Sequence, residues 1–466
     1  MTFPTRLAAS VVWLTSLAAA ACVPSPSNES ADVADDRAAG AVERRTPSGG
    51  HTAFKTTTTF AAETSNNTSA SSEFTGVDNG DVAPGNVSKV SIKRLLPAGF
   101  SGSVLAHWMP WWSCSKTPCD GVHSEADDIR VHYSTEDPKQ IDKILEDMIS
   151  RGYDGVMVAE ANSGDVKTAS TLAMAKEMPK YPSFSFSVSE NHLDTIAKDK
   201  QLDQLMADMT FAKENYFKLD NYLRIDKRPV VYVFDNASID WAAAAKDAPG
   251  NPLFILDGAS HASSSMGGFY WFDGDLPHGK PISSADELAK LDSFLEEVEK
   301  KADHLFSGQI FGGFDDKYAP WTLHRNLDQA CGLTFVRSVS AVGKYLASSP
   351  GNLPLIQTST WDDYEEGTEV ETGIDNCGSV VARVDGKIVK PVASFTSVGT
   401  EETVDHYEVF LSQDGVRLFD AGPVVVGDSL DVSSLELPAG AYSIYVEMVG
   451  KSHIINRMSR PASITL

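Results

Sequence analysis

Two hydrophobic periods take turns along the chain between residues 89 and 378. Short, nearly continuous apolar runs fall at 104–108, 155–160, 183–188, 229–235, 253–257, 269–273, 305–311 and 355–360. Runs of this length, bounded by Gly, Pro or Asp, read as buried strands. Between them lie stretches at helical spacing: 137–151, 166–177, 193–216, 284–301 and 327–346. The first is the best marked. Asp137 stands at a capping position, Pro138 at the first helical position, and Ile141, Ile144, Leu145 and Met148 recur on one face. Strands alternating with helices over residues 89–378 predict a (β/α)8 TIM barrel, an α/β fold. A doubly wound open sheet is the alternative, but no GxGxxG loop follows the first run. From 379 to 466 the helical period stops. Strand-like runs at 380–384, 406–411, 416–419 and 442–448, separated by Gly, Asp and Pro turns, predict a C-terminal all-β sandwich of the immunoglobulin or fibronectin-III type.

The N-terminal segment has neither period. Residues 1–22 read as an export signal: Arg6, an apolar stretch over 7–17, then four alanines before Cys22. The apolar stretch is too short to span a bilayer. Cys22 is either a lipoprotein cysteine or a neighbour of an ordinary cleavage site, so the expected location is extracellular, free or lipid-anchored. Residues 23–88 are rich in Ser, Thr, Ala, Asn and Asp and form an expected disordered linker, because they bury too little to offset ordering entropy. Four cysteines remain, Cys114, Cys119, Cys331 and Cys377, an even number in an exported chain that suggests two disulfides. Proximity pairs Cys114 with Cys119 and Cys331 with Cys377, one of the connectivities four cysteines permit. A metal site is the competing reading, without CxxC or HxxxH spacing to support it.

Charge narrows the partners. Acidic residues outnumber basic ones 64 to 39, for a formal charge of −25. Such a surface repels phosphate backbones and anionic lipid, so nucleic acid is not an expected partner, and a neutral polysaccharide or oligosaccharide fits better than an acidic one.

The acidic residues are not evenly spread. Several predicted strands end in a carboxylate, at Glu160, Asp235, Asp257 and Asp273, and the C-terminal ends of barrel strands form the active-site face. After the last strand, residues 361–371 hold Asp362, Asp363, Glu365, Glu366, Glu369 and Glu371. Paired carboxyl groups across a glycosidic bond supply the acid and the base for its hydrolysis. A solvated loop or a calcium site is the alternative from charge alone.

The segments VLAHWMPWW (104–112), DPKQIDKILEDMISRGYDGV (137–156), YLRIDKRPVVYVFD (222–235), GGFDD (312–316) and TWDDYEEGTEVE (360–371) resemble barrel glycoside hydrolases of families 71 and 99. These are α-1,3-glucanases and endo-α-mannosidases or mannanases respectively. The last motif is the most specific, set against NEWHEGTxIE in family 99 and WNDYGE in family 71. The resemblance implies that Glu366 is the general acid and Asp363 the general base, with no metal or organic cofactor. Asp362 stands where both families prefer asparagine, and Glu365 matches neither. An aspartate base leaves slightly more room for water than a glutamate, which favours inversion over a 2-hydroxyl-assisted retaining route. Second-rank candidates for sugar contact are His107, Trp108, Trp111, Glu160, Asp235, Asp315 and Trp361. A non-catalytic glycan-binding surface protein on the same barrel is the alternative function.

Overall fold

The computed structural model describes residues 86–466 apart from 113–133, 163, 165, 235–238, 259–265, 272–278, 302–303, 318, 320–321 and 349–352. The signal segment, Cys22, nearly all of the linker, Cys114, Cys119, Asp235 and Asp273 therefore lie outside the described residues.

Eight parallel strands form the barrel. They are β1 (Ser103–Trp108), β2 (Gly155–Val158), β3 (Ser185–Glu190), β4 (Arg228–Val233), β5 (Leu253–Asp257), β6 (Gly267–Phe269), β7 (Phe306–Phe311) and β8 (Leu355–Ser359). Each pairs with its successor, and β8 pairs with β1 in the register Leu105↔Gln357, which closes the ring. The helices are α1 (Pro138–Ser150), α2 (Val166–Glu177), α3 (Gln201–Asn215), α4 (Trp241–Asp247), α5 (Ser284–Lys300) and α6 (Leu333–Ser348).

Strand alternation divides the core in two. Val104, Ala106 and Trp108 face outwards and share a cluster with Ile141, Ile144, Leu145 and Met148 of α1. Leu105, Met157, Tyr232, Ile255, Phe269 and Leu355 face inwards and fill the barrel. Further towards the C-terminal ends the interior turns polar. Tyr232 donates to Ser307 at 3.0 Å, and Gln309 bonds Ser359. On α1, Asp137 Oδ1 accepts from Lys139 N, as the capping pattern predicts, and Gly152 leaves the helix at φ +91°.

Local differences from the periodicity have physical causes. The stretch over 193–216 splits into a short 3-10 turn, Leu193–Thr195, and α3, because the intervening Ala-Lys-Asp-Lys segment has no apolar face to bury. Helix α4 has seven residues, too few for an apolar period to show, although Asp240 caps it. The expected start of the helix at 327 moves to 333, since Ala330 and Cys331 both take positive φ.

Beyond the barrel, antiparallel strands β9 (Gly378–Asp385) and β10 (Ile388–Phe395) form one sheet. Strands β11 (Val404–Ser412), β12 (Phe419–Val424), β13 (Ala441–Gly450) and β14 (Ala462–Thr465) form another. Val380 and Val389 of the first meet Val409, Leu411, Ile444 and Val446 of the second in one core. Strand β10 carries Pro391, which hides it from a propensity reading. Proline is tolerated because beyond Val389 only β9 pairs with this strand. A disulfide joins Cys331 to Cys377, with Cα atoms 5.4 Å apart.

One carboxylate of this module yields a pH prediction. Glu447 lies directly across β11–β13 from Glu408. Burial pushes its carboxyl up to about 7, against a hydrogen bond from Asn456 and with the Glu408 charge adding. The folded state therefore binds more protons than the unfolded one between about pH 4.5 and 7, and stability falls as pH rises through that window. Glu447→Gln is expected to abolish this fall, so its melting temperature relative to wild type rises between pH 5 and pH 8. Equal displacement at both pH values would refute it.

Candidate active site

The acidic segment is a closed loop on the C-terminal end of β8. Thr360 N donates to Thr368 O at 3.0 Å, the two threonine hydroxyls lie 2.7 Å apart, and Val370 N returns to Thr360 O at 3.0 Å. Trp361 N donates to His107 O at 2.6 Å, which stitches the loop to the end of β1. Loop closure by backbone bonds leaves the side chains to settle individually.

They settle differently. Asp362 is fully buried; its Oδ1 accepts from Met109 N at 2.8 Å, and its carbonyl accepts from Trp112 Nε1 at 2.9 Å. It binds the loop after β1 to the loop after β8, a task a neutral asparagine amide also performs, so the extra charge falls on a tie. Glu371 Oε2 accepts from Tyr364 Oη at 2.8 Å. Burial, with Glu371 and Glu369 nearby, holds the Tyr364 phenol well above its ordinary value, so that hydroxyl stays a donor. Asp363 Oδ1 accepts from the amides of both Glu365 and Glu366 at 3.2 Å, while its own amide donates to Thr360 Oγ1 at 2.9 Å. Asp363 therefore caps the turn on which Glu366 stands. Asp363 is almost fully buried and Glu366 is half-buried.

The loop after β7 abuts this turn through its backbone. Asp315 N donates to Glu366 O at 2.7 Å, while the Asp315 carboxylate turns to Lys317, accepting from its amide and its ammonium at 3.1 Å each. Its neighbour Asp316 is fully buried and accepts from Arg325 Nε and N at 2.8 Å, an arrangement that staples the loop and, against the effect of burial, holds the carboxyl below its usual range. Gly367 has φ +57°, and a Cβ there would meet Asp315 N, O and Cβ at 3.3–3.4 Å. Gly367→Ala is expected to cost about 1–2 kcal/mol of stability, read by urea unfolding; a change under a few tenths would show that the turn does not need glycine.

The remaining candidates are scattered by the fold. His107 points into the barrel, stacked on Phe234 at 5.0 Å and edge-on to Trp271 at 5.6 Å. Burial pushes its imidazole down to about 3, so it is neutral, and neither ring nitrogen has a hydrogen-bond partner among the described residues. Trp108 faces the helix layer and is fully buried. Trp111 is half-buried, with Lys167 Nζ 5.3 Å from its ring centre. Trp361 has no exposed surface: Arg151 lies over its ring at 4.9 Å, and Tyr153 and His453 meet it edge-on. As placed, Trp108 and Trp361 present no face to a sugar. Glu160 is buried beside His192 on the helix side of the wall.

Two groupings were not visible in the linear pattern. One is Glu160, Glu190, His192 and Asp208, in which Glu160 and Glu190 hold the His192 imidazole up to about 11 and burial raises the Glu190 carboxyl. The other surrounds Arg151, whose guanidinium reaches Val370 O at 3.0 Å, Glu371 O at 2.9 Å, Asp147 Oδ2 at 2.5 Å and His453 Nδ1 at 3.1 Å. Arginine only donates, so the tautomer that bonds Arg151 at Nδ1 carries its proton on Nε2, 2.8 Å from Tyr153 Oη, and the other donates from Nδ1 to Val370 O at 3.2 Å. A pair such as Glu190-x-His192 was the only local signal of the first grouping.

No protein-family model and no curated protein matches this chain. Among solved structures, the chain matches the family 99 endo-α-mannosidase from Bacteroides thetaiotaomicron in complex with bis-tris propane. The identity is 17% and the TM-score 0.45, over 60% of this chain and 88% of that one. A second structure of a family 99 endo-α-mannosidase from the same organism aligns at 14% identity and a TM-score of 0.41, over 58% and 87% of the two chains. A protein described as glycoside hydrolase-like aligns at 12% identity and a TM-score of 0.40, over 60% of this chain and 92% of the other.

Proposed function

We propose that this chain is an exported glycoside hydrolase that cleaves α-linked neutral polysaccharide of the α-1,3-glucan or α-mannan type. Glu366 is the general acid and Asp363 the general base. The observation that carries this reading is the turn at the end of β8, where Asp363 caps the backbone on which Glu366 stands. A carboxylate fixed by two amides is held in one orientation, as a base that must aim at a water requires. Residues 1–22 direct export, with Cys22 as the point of lipid attachment if the chain is anchored. No cofactor is needed by this chemistry.

The test is a screen of purified protein against α-1,3-glucan, α-mannan and α-1,4-glucan, scored by new reducing ends, with proton NMR of the first-released anomer. Turnover of one of the first two with an inverted anomer is expected. One observation favours a second reading, a non-catalytic glycan-binding protein: the same two amide bonds give Asp363 a capping task independent of catalysis. Glycan retention on an affinity gel without any turnover would establish that reading and overturn the first.

A further inference from the structure

Glu160 and Glu190 stand just beyond Val158 and Val188, in register on neighbouring strands, and alternate with them onto the helix-facing side of the wall. Asp208 of α3 faces them, and all three carboxylates are fully buried. Among the described residues their ion-pair partner is His192 alone. Its Nδ1 lies 2.8 Å from Glu190 Oε1 and 3.6 Å from Glu160 Oε1, and its Nε2 lies 3.6 Å from Asp208 Oδ2.

Neutral donors satisfy part of the cluster. Asp208 Oδ1 accepts from Asn162 Nδ2 and Gln204 Nε2 at 2.9 Å, and Glu160 Oε1 accepts from Asn162 N at 2.9 Å. The other oxygens, Glu160 Oε2, Glu190 Oε2 and Asp208 Oδ2, are buried and meet no hydrogen-bond donor among the described residues. Three carboxyl groups share one imidazole, burial raises the carboxyls of Glu190 and Asp208 against ionisation, and buried charges are ordinarily paired or bound to metal.

The geometry fits an ion. One oxygen each from Glu190 and Asp208 and one nitrogen of His192 lie within 4.8 Å of one another. Ligands at about 2.0–2.2 Å from a common centre are at most about 4.4 Å apart, so side-chain adjustments of a few tenths of an ångström would close the set. We propose that Glu190, His192 and Asp208 bind one divalent transition-metal ion of the Zn²⁺ or Mn²⁺ class, with Glu160 beside it. An imidazole among carboxylates suits these ions better than Ca²⁺ or Mg²⁺, which take oxygen ligands. The ion takes the place of the proton on His192 and ties the segment after β3 to α3. The site shares no residue with the Asp363–Glu366 turn, so its role is to hold the wall and its test needs no substrate.

The full chain, stripped with chelator and freed of it, is titrated with Zn²⁺ or Mn²⁺ alone and followed by elemental analysis and thermal melting. One ion per chain and a melting temperature raised by several degrees are expected, with Ca²⁺ doing neither. Asp208→Asn and His192→Asn are each expected to weaken binding by roughly 10–100-fold or more. The chelated wild type gives the answer even if a variant fails to fold. No retained ion and no shift in melting, equal retention by both variants, or a response to Ca²⁺ alone would each overturn the site.

Discussion

Glu366→Gln lowers turnover roughly 10²–10⁴-fold, the usual contribution of a positioned acid, while its melting temperature stays at the wild-type value. The Glu366 amide donates to Asp363 Oδ1 and its carbonyl accepts from Asp315 N, and both backbone bonds survive the substitution. Asp363 needs two variants because it has two tasks. Asparagine keeps an Oδ1 that accepts from the amides of Glu365 and Glu366, so Asp363→Asn removes the base and retains the turn. Turnover falls by a similar factor with little change in stability. Asp363→Ala removes the acceptor as well and costs about 1 kcal/mol in addition, as loss of a cap does. Turnover that persists in both Glu366→Gln and Asp363→Asn would end the assignment. Stability losses without any wild-type turnover would leave Asp363 a cap and nothing more.

The second large effect concerns Arg151. Arg151→Met is expected to destabilise the chain by about 3–5 kcal/mol, the range for breaking a buried ion pair from one side. Methionine fills much of the space over Trp361 but donates nothing. Asp147 then keeps Lys89 and the Ser150 hydroxyl, and the carbonyls of Val370 and Glu371 and the Nδ1 of His453 lose a donor. Burial, the larger cause of the depressed His453 imidazole and one the substitution leaves in place, keeps it from taking over as a cation. Urea unfolding measures the change; a loss under about 1 kcal/mol would show that these bonds are replaced by water. Val370 and Glu371 are the last residues of the acidic loop, so the same variant also tests whether docking of His453 steadies the candidate pair.

How far the chain could be read varied with distance along it. The α1 cap, the apolar runs of the barrel strands and the Cys331–Cys377 proximity are local patterns, and each has its counterpart in the structure. Elements whose signal was too short or locally contradicted were hidden, as α4 with its seven residues and β10 with Pro391 show. The six crowded carboxylates of 361–371 were visible as a cluster but not as separate tasks. That Asp362 ties Met109, Glu371 meets Tyr364, and Asp363 caps Glu366 depends on partners as far as 253 residues away, or on the path of a closed loop.

Periodicity and composition by themselves determined an alternating barrel followed by strands, an acidic surface, and a carboxylate-rich segment at the last barrel strand. Those features depend on residue type and spacing, which burial and turn chemistry read locally. Tertiary structure alone decided which side of the wall the strand-end carboxylates Glu160 and Glu190 occupy. Strand alternation sent Glu160 and Glu190 to the helices with His192 and Asp208, and closure of the ring brought His107 and Trp361 together through one backbone bond. A shift of one residue along a strand reverses the facing of a side chain, so no pattern of types could make that choice.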